Sequence, residues 1–206
     1  MKKIFFALVL ISTLLTACKN KETTNMQVSD GKPAAIERFD IKKYKEVLKD
    51  TFAEYETPGG TAVNMLEGDG YYLQQECPKA QDDMVCLQKM FYKDNLTLQT
   101  KGRYLKKGDA AVGVWEYYDR AGKLIKQENR DAGYKILWAD MAQILKKQNI
   151  NLKYAAGIYK YTDNNIPYWK IMLTTETSIA DCTFNGLTGA LVSKNVQDLN
   201  KIQRIM

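Results

Sequence analysis

The sequence predicts an α+β protein: antiparallel β hairpins with an N-terminal helix, then a helix packed on a small antiparallel sheet. Three observations predict it. Residues 90–130 run aromatic and aliphatic side chains into turn residues and out again, the pattern of paired strands. Tyr134, Leu137, Trp138, Met141, Ile144 and Leu145 recur at helical spacing. Residues 155–192 then return to alternation, broken by turns rich in Asn, Asp and Gly. A helix followed by antiparallel strands packs as two layers, with the helix covering one sheet face.

The N-terminus is read first. Lys2 and Lys3 give a positive start, and Ile4 to Leu15 is almost wholly apolar. Those 12 residues fall short of the roughly 20 that a spanning helix needs. The segment therefore reads as a secretory signal over residues 1–17. Leu15-Thr16-Ala17-Cys18 resembles the lipobox of bacterial lipoproteins. The resemblance implies that Cys18 is acylated, palmitate included, and becomes the first mature residue. Two or three acyl chains at about 0.8 kcal/mol per buried methylene anchor a protein stably. Lys19, where an Asp would retain such a protein at the inner membrane, implies an outer-membrane lipoprotein, periplasmic or surface-facing.

The totals bound the rest. Without residues 1–17 the chain keeps 189 of its 206 residues, enough for one large or two small domains. The signal removes two lysines, so the formal charge falls from +6 to +4, with both signs dispersed. That is no basic stripe, and nucleic acid is not an expected partner. The sequence has no histidine, which excludes Ser-His-Asp and Cys-His catalysis, His-ligated zinc and HExxH together. No GxSxG, P-loop or GxGxxG occurs. Besides Cys18 there are Cys77, Cys86 and Cys182. Proximity favours a Cys77–Cys86 disulfide, which leaves Cys182 as a small buried hydrophobe; a bond from Cys182 to either of the others is the alternative.

Along the chain, residues 18–35 read as a lipidated tether with a reach of roughly 20–25 Å. Residues 40–56 read as a helix: Asp40 can cap it, Ile41, Tyr44, Leu48, Phe52 and Tyr55 share a face, and Thr57-Pro58-Gly59-Gly60 ends it. Residues 61–73 read as short strands around Gly68-Asp69-Gly70, and 74–89 as a polar, disulfide-bearing loop. In the hairpin region Asp119 can bond the turn backbone, and Gly122 supplies its left-handed position. Trp115 and Tyr117 fall on one strand face, Glu116 and Tyr118 on the other. Asp131-Ala132-Gly133 precedes the second helix, whose end is marked by Lys146, Lys147 and Asn149. Strands follow at 155–161, 168–175 and 178–185; Asn185-Gly186 opens a turn before Ala190-Leu191-Val192.

Two further resemblances set the domain boundaries. Gly113-Val114-Trp115-Glu116-Tyr117-Tyr118-Asp119-Arg120-Ala121-Gly122-Lys123-Leu124 resembles a MORN-like hairpin repeat. Met90 to Leu98 is a degraded copy without the Trp or the Gly. The repeat carries no catalytic residue and implies a scaffold or binding role over 36–130. Pro167-Tyr168-Trp169-Lys170-Ile171 and Asn185-Gly186-Leu187-Thr188-Gly189-Ala190-Leu191-Val192 resemble a PepSY-like α+β module over 131–206, with Asn185 where that family usually has Asp. The combination is similar to lipoproteins of Bacteroidetes, some of which accompany contact-delivered toxins.

No catalytic residue, metal site or cofactor is expected. Asp82-Asp83, Glu67-Gly68-Asp69 and Asp163-Asn164-Asn165 read as solvated loops and turns, since nothing pairs them with a nucleophile. Tyr72, Trp115, Tyr118, Tyr161 and Tyr168 form the candidate binding surface, because adjacent aromatics on a strand must face both sides of a sheet. The expected function is a non-enzymatic lipoprotein that binds a protein, most concretely an immunity protein covering a toxin. The alternatives are a peptidase-modulating or envelope-assembly factor, suggested by the PepSY-like part, and a glycan-binding surface lipoprotein.

Overall fold

The computed structural model describes residues 35–49, 52–80, 83–108 and 110–199. The expected signal, Cys18 and the tether through residue 34 lie outside them. The chain divides after Ala34, and every element below belongs to the unit that starts at Ala35. Among the described residues no helix is long and apolar enough to cross a membrane.

Helix α1 (Ile41–Val47) leads into β1 (Leu48–Lys49). Then come β2 (Phe52–Glu56), β3 (Thr61–Glu67), β4 (Tyr71–Pro78), β5 (Val85–Tyr92), β6 (Leu98–Leu105), β7 (Ala111–Tyr118) and β8 (Leu124–Asn129). These eight strands form one antiparallel sheet in chain order. Helix α2 (Trp138–Lys147) follows, then β9 (Ala155–Asp163), β10 (Ile166–Thr174), β11 (Ser178–Asn185) and β12 (Leu191–Asp198). The last four make a second antiparallel sheet, again in chain order. The fold is therefore α+β and mostly antiparallel β, as the sequence predicts.

Three elements differ from expectation. Asp40 does cap α1, accepting from Lys43 N at 3.0 Å, but the helix ends at Val47 and not near 56. Residues 52–56 fit both periods, and pairing with β3, where Ala53 faces Met65, satisfies their backbone better than a short isolated helix could. Residues 74–89 are mostly strand, not loop. Their polar side chains sit in the middle of a sheet, which hides the strand pattern from hydropathy. Helix α2 starts at Trp138; Tyr134 stays outside it, its ring edge-on to Trp169 with centroids 5.4 Å apart, and Leu137 is exposed. Asn149 ends this helix at φ 56°, as its residue type suggests.

Among the described residues two apolar clusters hold the fold. One gathers Phe39 and Tyr44 with Ala53, Val63, Met65, Tyr72, Phe91 and Leu98, beneath α1. The other joins Leu105 and Val112 of the first sheet to Trp138, Met141 and Leu145 of α2 and to Ile158, Trp169, Ile171, Cys182 and Phe184 of the second. This second core crosses residue 130, so the hairpin region and the helix-and-sheet region share it.

The two repeat-like hairpins reverse in related ways. Asp119 Oδ1 accepts from the backbone N–H groups of Ala121 and Lys123, both at 2.9 Å, and Gly122 takes φ 77°. In the degraded copy Leu96 occupies the corresponding place at φ 62°. A left-handed leucine is costly, and it is retained here because the side chain packs against the first cluster. Gly122 has no such compensation, and a Cβ there would come within 2.8 Å of Ile36. Gly122→Ala should therefore cost about 1–2 kcal/mol in urea unfolding. A cost near zero would mean that the turn does not hold this geometry. In the second sheet Asn185 keeps the acceptor role of the Asp it replaces: its Oδ1 takes the N–H of Leu187 at 2.8 Å and of Thr188 at 3.1 Å. The reversal takes all of residues 186–189, closed by Asn185 N to Ala190 O at 2.9 Å, not the two-residue turn of an isolated Asn-Gly.

Candidate functional site

Residues directly opposite each other in an antiparallel sheet share a face. The register therefore sorts the eight-stranded sheet into two surfaces. One carries Ala53, Met65, Gln74, Lys89, Lys101 and Glu116 in a single cross-strand line. The apolar end of this surface lies under α1. Its middle is a polar network in which Lys89 Nζ meets Glu37 at 2.8 Å and Glu76 at 3.0 Å. Burial lowers the Lys89 pKa, but the hydrogen bonds to Glu37 and Glu76 outweigh it, and the net shift is upward.

The opposite surface carries Phe52, Leu66, Leu73, Met90, Thr100 and Tyr117 in one line across six strands. Five strand spacings make this row about 24 Å long. Phe52 is 42% exposed and Leu66 39%; Leu73, Met90 and Tyr117 are half-buried. Neither apolar cluster lies on this side. Trp115 stands on the same surface, over Gly102, where any Cβ would collide with the indole. Its Nε1 donates to Arg103 O at 3.0 Å, and the Arg130 guanidinium lies 5.8 Å from the ring. The indole is thus held in place by a glycine below, a hydrogen bond and a cation.

The other expected surface residues go elsewhere. Tyr72 is only 8% exposed and stacks on Phe39 at 4.5 Å, so it is core and not binding surface. Its place follows from the Tyr71-Tyr72 pair: one must face the core, and Tyr72 lies under α1. Tyr118 shares the face of Glu116, packs against the first cluster and donates to Glu116 Oε2 at 2.7 Å. Tyr161, 42% exposed, stacks with Tyr168 at 5.2 Å on the second sheet. Trp115 and Tyr117 thus share a surface with the apolar row, while Tyr72, Tyr118 and the Tyr161–Tyr168 pair do not.

Burial, then the hydrogen bond and charge of Glu116, push the Tyr118 pKa up from 10 to about 12. The folded value lies above the unfolded one. The stabilisation is therefore complete below pH 10 and is lost as pH rises through about 12. In an ultraviolet titration of phenolate absorbance Tyr118 should ionise late, near pH 12, and Tyr118→Phe should reduce the late phase, to which Tyr44, Tyr55 and Tyr134 also contribute, by one phenolate. A titration unchanged by the substitution contradicts the assignment.

Sequence reading missed one constellation. Lys160 Nζ meets Asp131 Oδ1 at 2.6 Å, Arg130 O at 2.7 Å and Ala111 O at 3.3 Å. It also lies 4.3 Å from the Tyr134 ring and 5.2 Å from that of Trp169. Asp131 Oδ2 in turn accepts from Gly113 N at 2.7 Å. A cavity of about 410 Å³ opens beside it, lined by Gly108, Arg130, Tyr134, Tyr159 and Tyr161. An ammonium has three protons, and all three have acceptors here. Lys160 is therefore a pin between β9 and the β7–β8 hairpin, with no proton left over for a ligand in that cavity. The only sequence signal was a lysine between two tyrosines on a strand.

Cys77 and Cys86 sit opposite each other on β4 and β5 and form a disulfide, with Cα atoms 4.4 Å apart. A loop this short is worth about 2–3 kcal/mol of chain entropy. Cys182 is buried in the second core, and burial pushes its thiol pKa up, as befits an inert side chain. Glu67 pairs with Lys93 at 2.6 Å, and Asn164 and Asn165, at φ 48° and 63°, form the β9–β10 turn. Among the described residues no group of three His, Cys, Asp or Glu could hold a metal ion.

No protein-family model matches this chain, and no curated protein matches it.

Proposed function

We propose that this chain is a membrane-anchored, non-enzymatic lipoprotein that binds another protein, most concretely an immunity protein that occludes a contact-delivered toxin in the periplasm. The observation that carries the reading is the apolar row on the face of the eight-stranded sheet opposite the two apolar clusters, Phe52 to Tyr117, with Trp115 fixed beside it. Among the described residues Phe52 and Leu66 leave this row partly exposed, and contiguous apolar and aromatic surface is what protein interfaces use. A tryptophan already held in one position loses little entropy on binding and serves as an anchor. Occlusion needs a broad preformed surface and no chemistry, in keeping with a sequence that has no histidine.

The experiment places a photo-crosslinking residue at Met90 in the producing cells, with Ser193 on the second sheet as the comparison. The expected result is one defined adduct with a toxin from Met90 and none from Ser193. Met90→Lys should then abolish protection. An envelope extract that yields no toxin, or a deletion strain that stays resistant to sibling attack, sinks the reading.

A further inference from the structure

The second sheet turns one face to the core: Ile158, Trp169, Ile171, Cys182 and Phe184 lie on it. Register puts Tyr159, Tyr161, Tyr168, Lys170, Asp181 and Thr183 together on the other. These six fall into two strips. Tyr159 and Tyr161 of β9, with Tyr168 of β10, make an aromatic strip. Lys170, Asp181 and Thr183 make a polar strip beside it. We propose that this face is a carbohydrate-binding site, whose ligand is a neutral oligosaccharide of pyranose units stacked on the tyrosines. The site is separate from the apolar row of the eight-stranded sheet and takes a different class of ligand.

The tyrosines are held by local chemistry. Tyr159 reaches back over Gly157, where any Cβ would come within 2.5 Å of its ring and hydroxyl. The glycine lets the ring lie back along the strand. Tyr161 and Tyr168 are cross-strand partners whose rings stack at 5.2 Å and 22°. Tyr159 is 39% exposed and Tyr161 42%. From Gly157 to Tyr161 the strip runs about 13 Å along β9, longer than one sugar ring. Rings already fixed in place lose little entropy when a ligand stacks on them.

The polar strip decides the class of ligand. Lys170 Nζ lies 3.3 Å from Asp181 Oδ2, and both side chains are partly exposed. The other carboxylate oxygen, Asp181 Oδ1, is buried with no hydrogen-bond partner among the described residues. Buried polar atoms are nearly always paired, so an orphan beside an exposed aromatic strip marks a missing donor. Lys170 and Asp181 cancel in charge, and Asp163 at the end of β9 adds an acid, so the face suits a neutral ligand and not an anion. A pyranose with equatorial hydroxyls meets both strips at once. Its ring C–H groups form an apolar face that lies on a tyrosine, and hydroxyls project from its rim. A hydroxyl both donates and accepts, so it serves Lys170, Asp181 and Thr183 alike. A protein partner is better served by the first sheet, where Leu66, Leu73 and Met90 continue one apolar row from strand to strand.

The test titrates the full chain, in a detergent without a sugar headgroup, with cellohexaose, maltohexaose and chitohexaose by calorimetry. Oligogalacturonate is the acidic comparison. At least one neutral oligosaccharide should bind, and oligogalacturonate should bind more weakly. Tyr159→Ala and Tyr161→Ala should each weaken binding by roughly tenfold, the loss of one stacked ring. Tyr161→Phe keeps the ring and should keep most of the affinity. Asp181→Ala should weaken binding as well, and Trp115→Ala, on the other sheet, should leave it unchanged. Melting by circular dichroism should stay within a few degrees of wild type for the tyrosine variants, which separates lost binding from lost fold. Three results overturn the proposal: no binding of any neutral oligosaccharide, tighter binding of oligogalacturonate, or affinity that Tyr159→Ala and Tyr161→Ala both leave intact. A defined protein adduct from a photo-crosslinking residue at Tyr161 in cells also overturns it, by assigning this face to a protein.

Discussion

Trp169→Ala should unfold this protein more readily than any other single substitution in its second core. The side chain is 0% exposed, its Nε1 donates to Ile136 O at 2.9 Å, and its ring contacts Tyr134 and Trp138. Truncating a buried tryptophan costs about 3–5 kcal/mol in lost transfer and residual cavity. Stranding the Ile136 carbonyl adds about 1–3 kcal/mol. Total stability of a domain is about 5–15 kcal/mol, so little remains. For a chain of this length the melting temperature should fall by roughly 10–20 °C. Trp169→Phe keeps an aromatic ring and should lose about half as much. The informative comparison is Trp115→Ala. That indole lies on a sheet surface over Gly102 and is half-buried, so its removal leaves no enclosed cavity and should cost about 1–2 kcal/mol. Equal costs at the two tryptophans would contradict the assignment of one to core and the other to surface.

How far the sequence could carry this is visible in particular residues. Trp169 and Ile171 alternate on their strand with Lys170 between them, and the structure buries the two apolar ones in that order. Asp119 and Gly122 announced their turn because each has one local job. Cys77 and Cys86 were legible because nine positions separate them. Where pattern reading failed, the competing force was not local. Residues 52–56 suit helix and strand equally, and pairing with β3 decides. Residues 74–89 look like loop because Gln74, Glu76 and Lys89 are polar, yet their polarity is satisfied by Glu37 and by each other across the sheet. Tyr72 and Tyr118 were expected at the surface because adjacent tyrosines must diverge. Which of them diverges inward depends on where α1 lies. Of the candidate surface residues, Trp115 shares a sheet face with Phe52, Leu66, Leu73 and Met90, and that grouping arises only through the register of the strands.

Lys160 is the sharpest case, and its substitution the second large effect. Its carboxylate partner is 29 residues away, and its two carbonyl partners lie 30 and 49 away. The Lys160 side chain is 10% exposed and that of Asp131 13%. Lys160→Met should therefore cost about 3–5 kcal/mol, since it leaves a carboxylate buried with only the Gly113 N–H against it. Asp131→Asn should cost less, because the amide oxygen can still accept from Gly113 or Lys160. The double substitution is the decisive measurement. With no charge left to strand, it should be more stable than Lys160→Met alone, and the interaction energy from the cycle should exceed about 1.5 kcal/mol. The reasoning distinguishes a pin from mere packing. If Lys160 mattered only as a stem lying across Tyr134 and Trp169, methionine would replace it well and the cycle would close near zero. If the ammonium holds β9 to the β7–β8 hairpin, the penalty belongs to the abandoned Asp131, and removing that charge as well recovers stability. Denaturant unfolding of the four proteins decides between them.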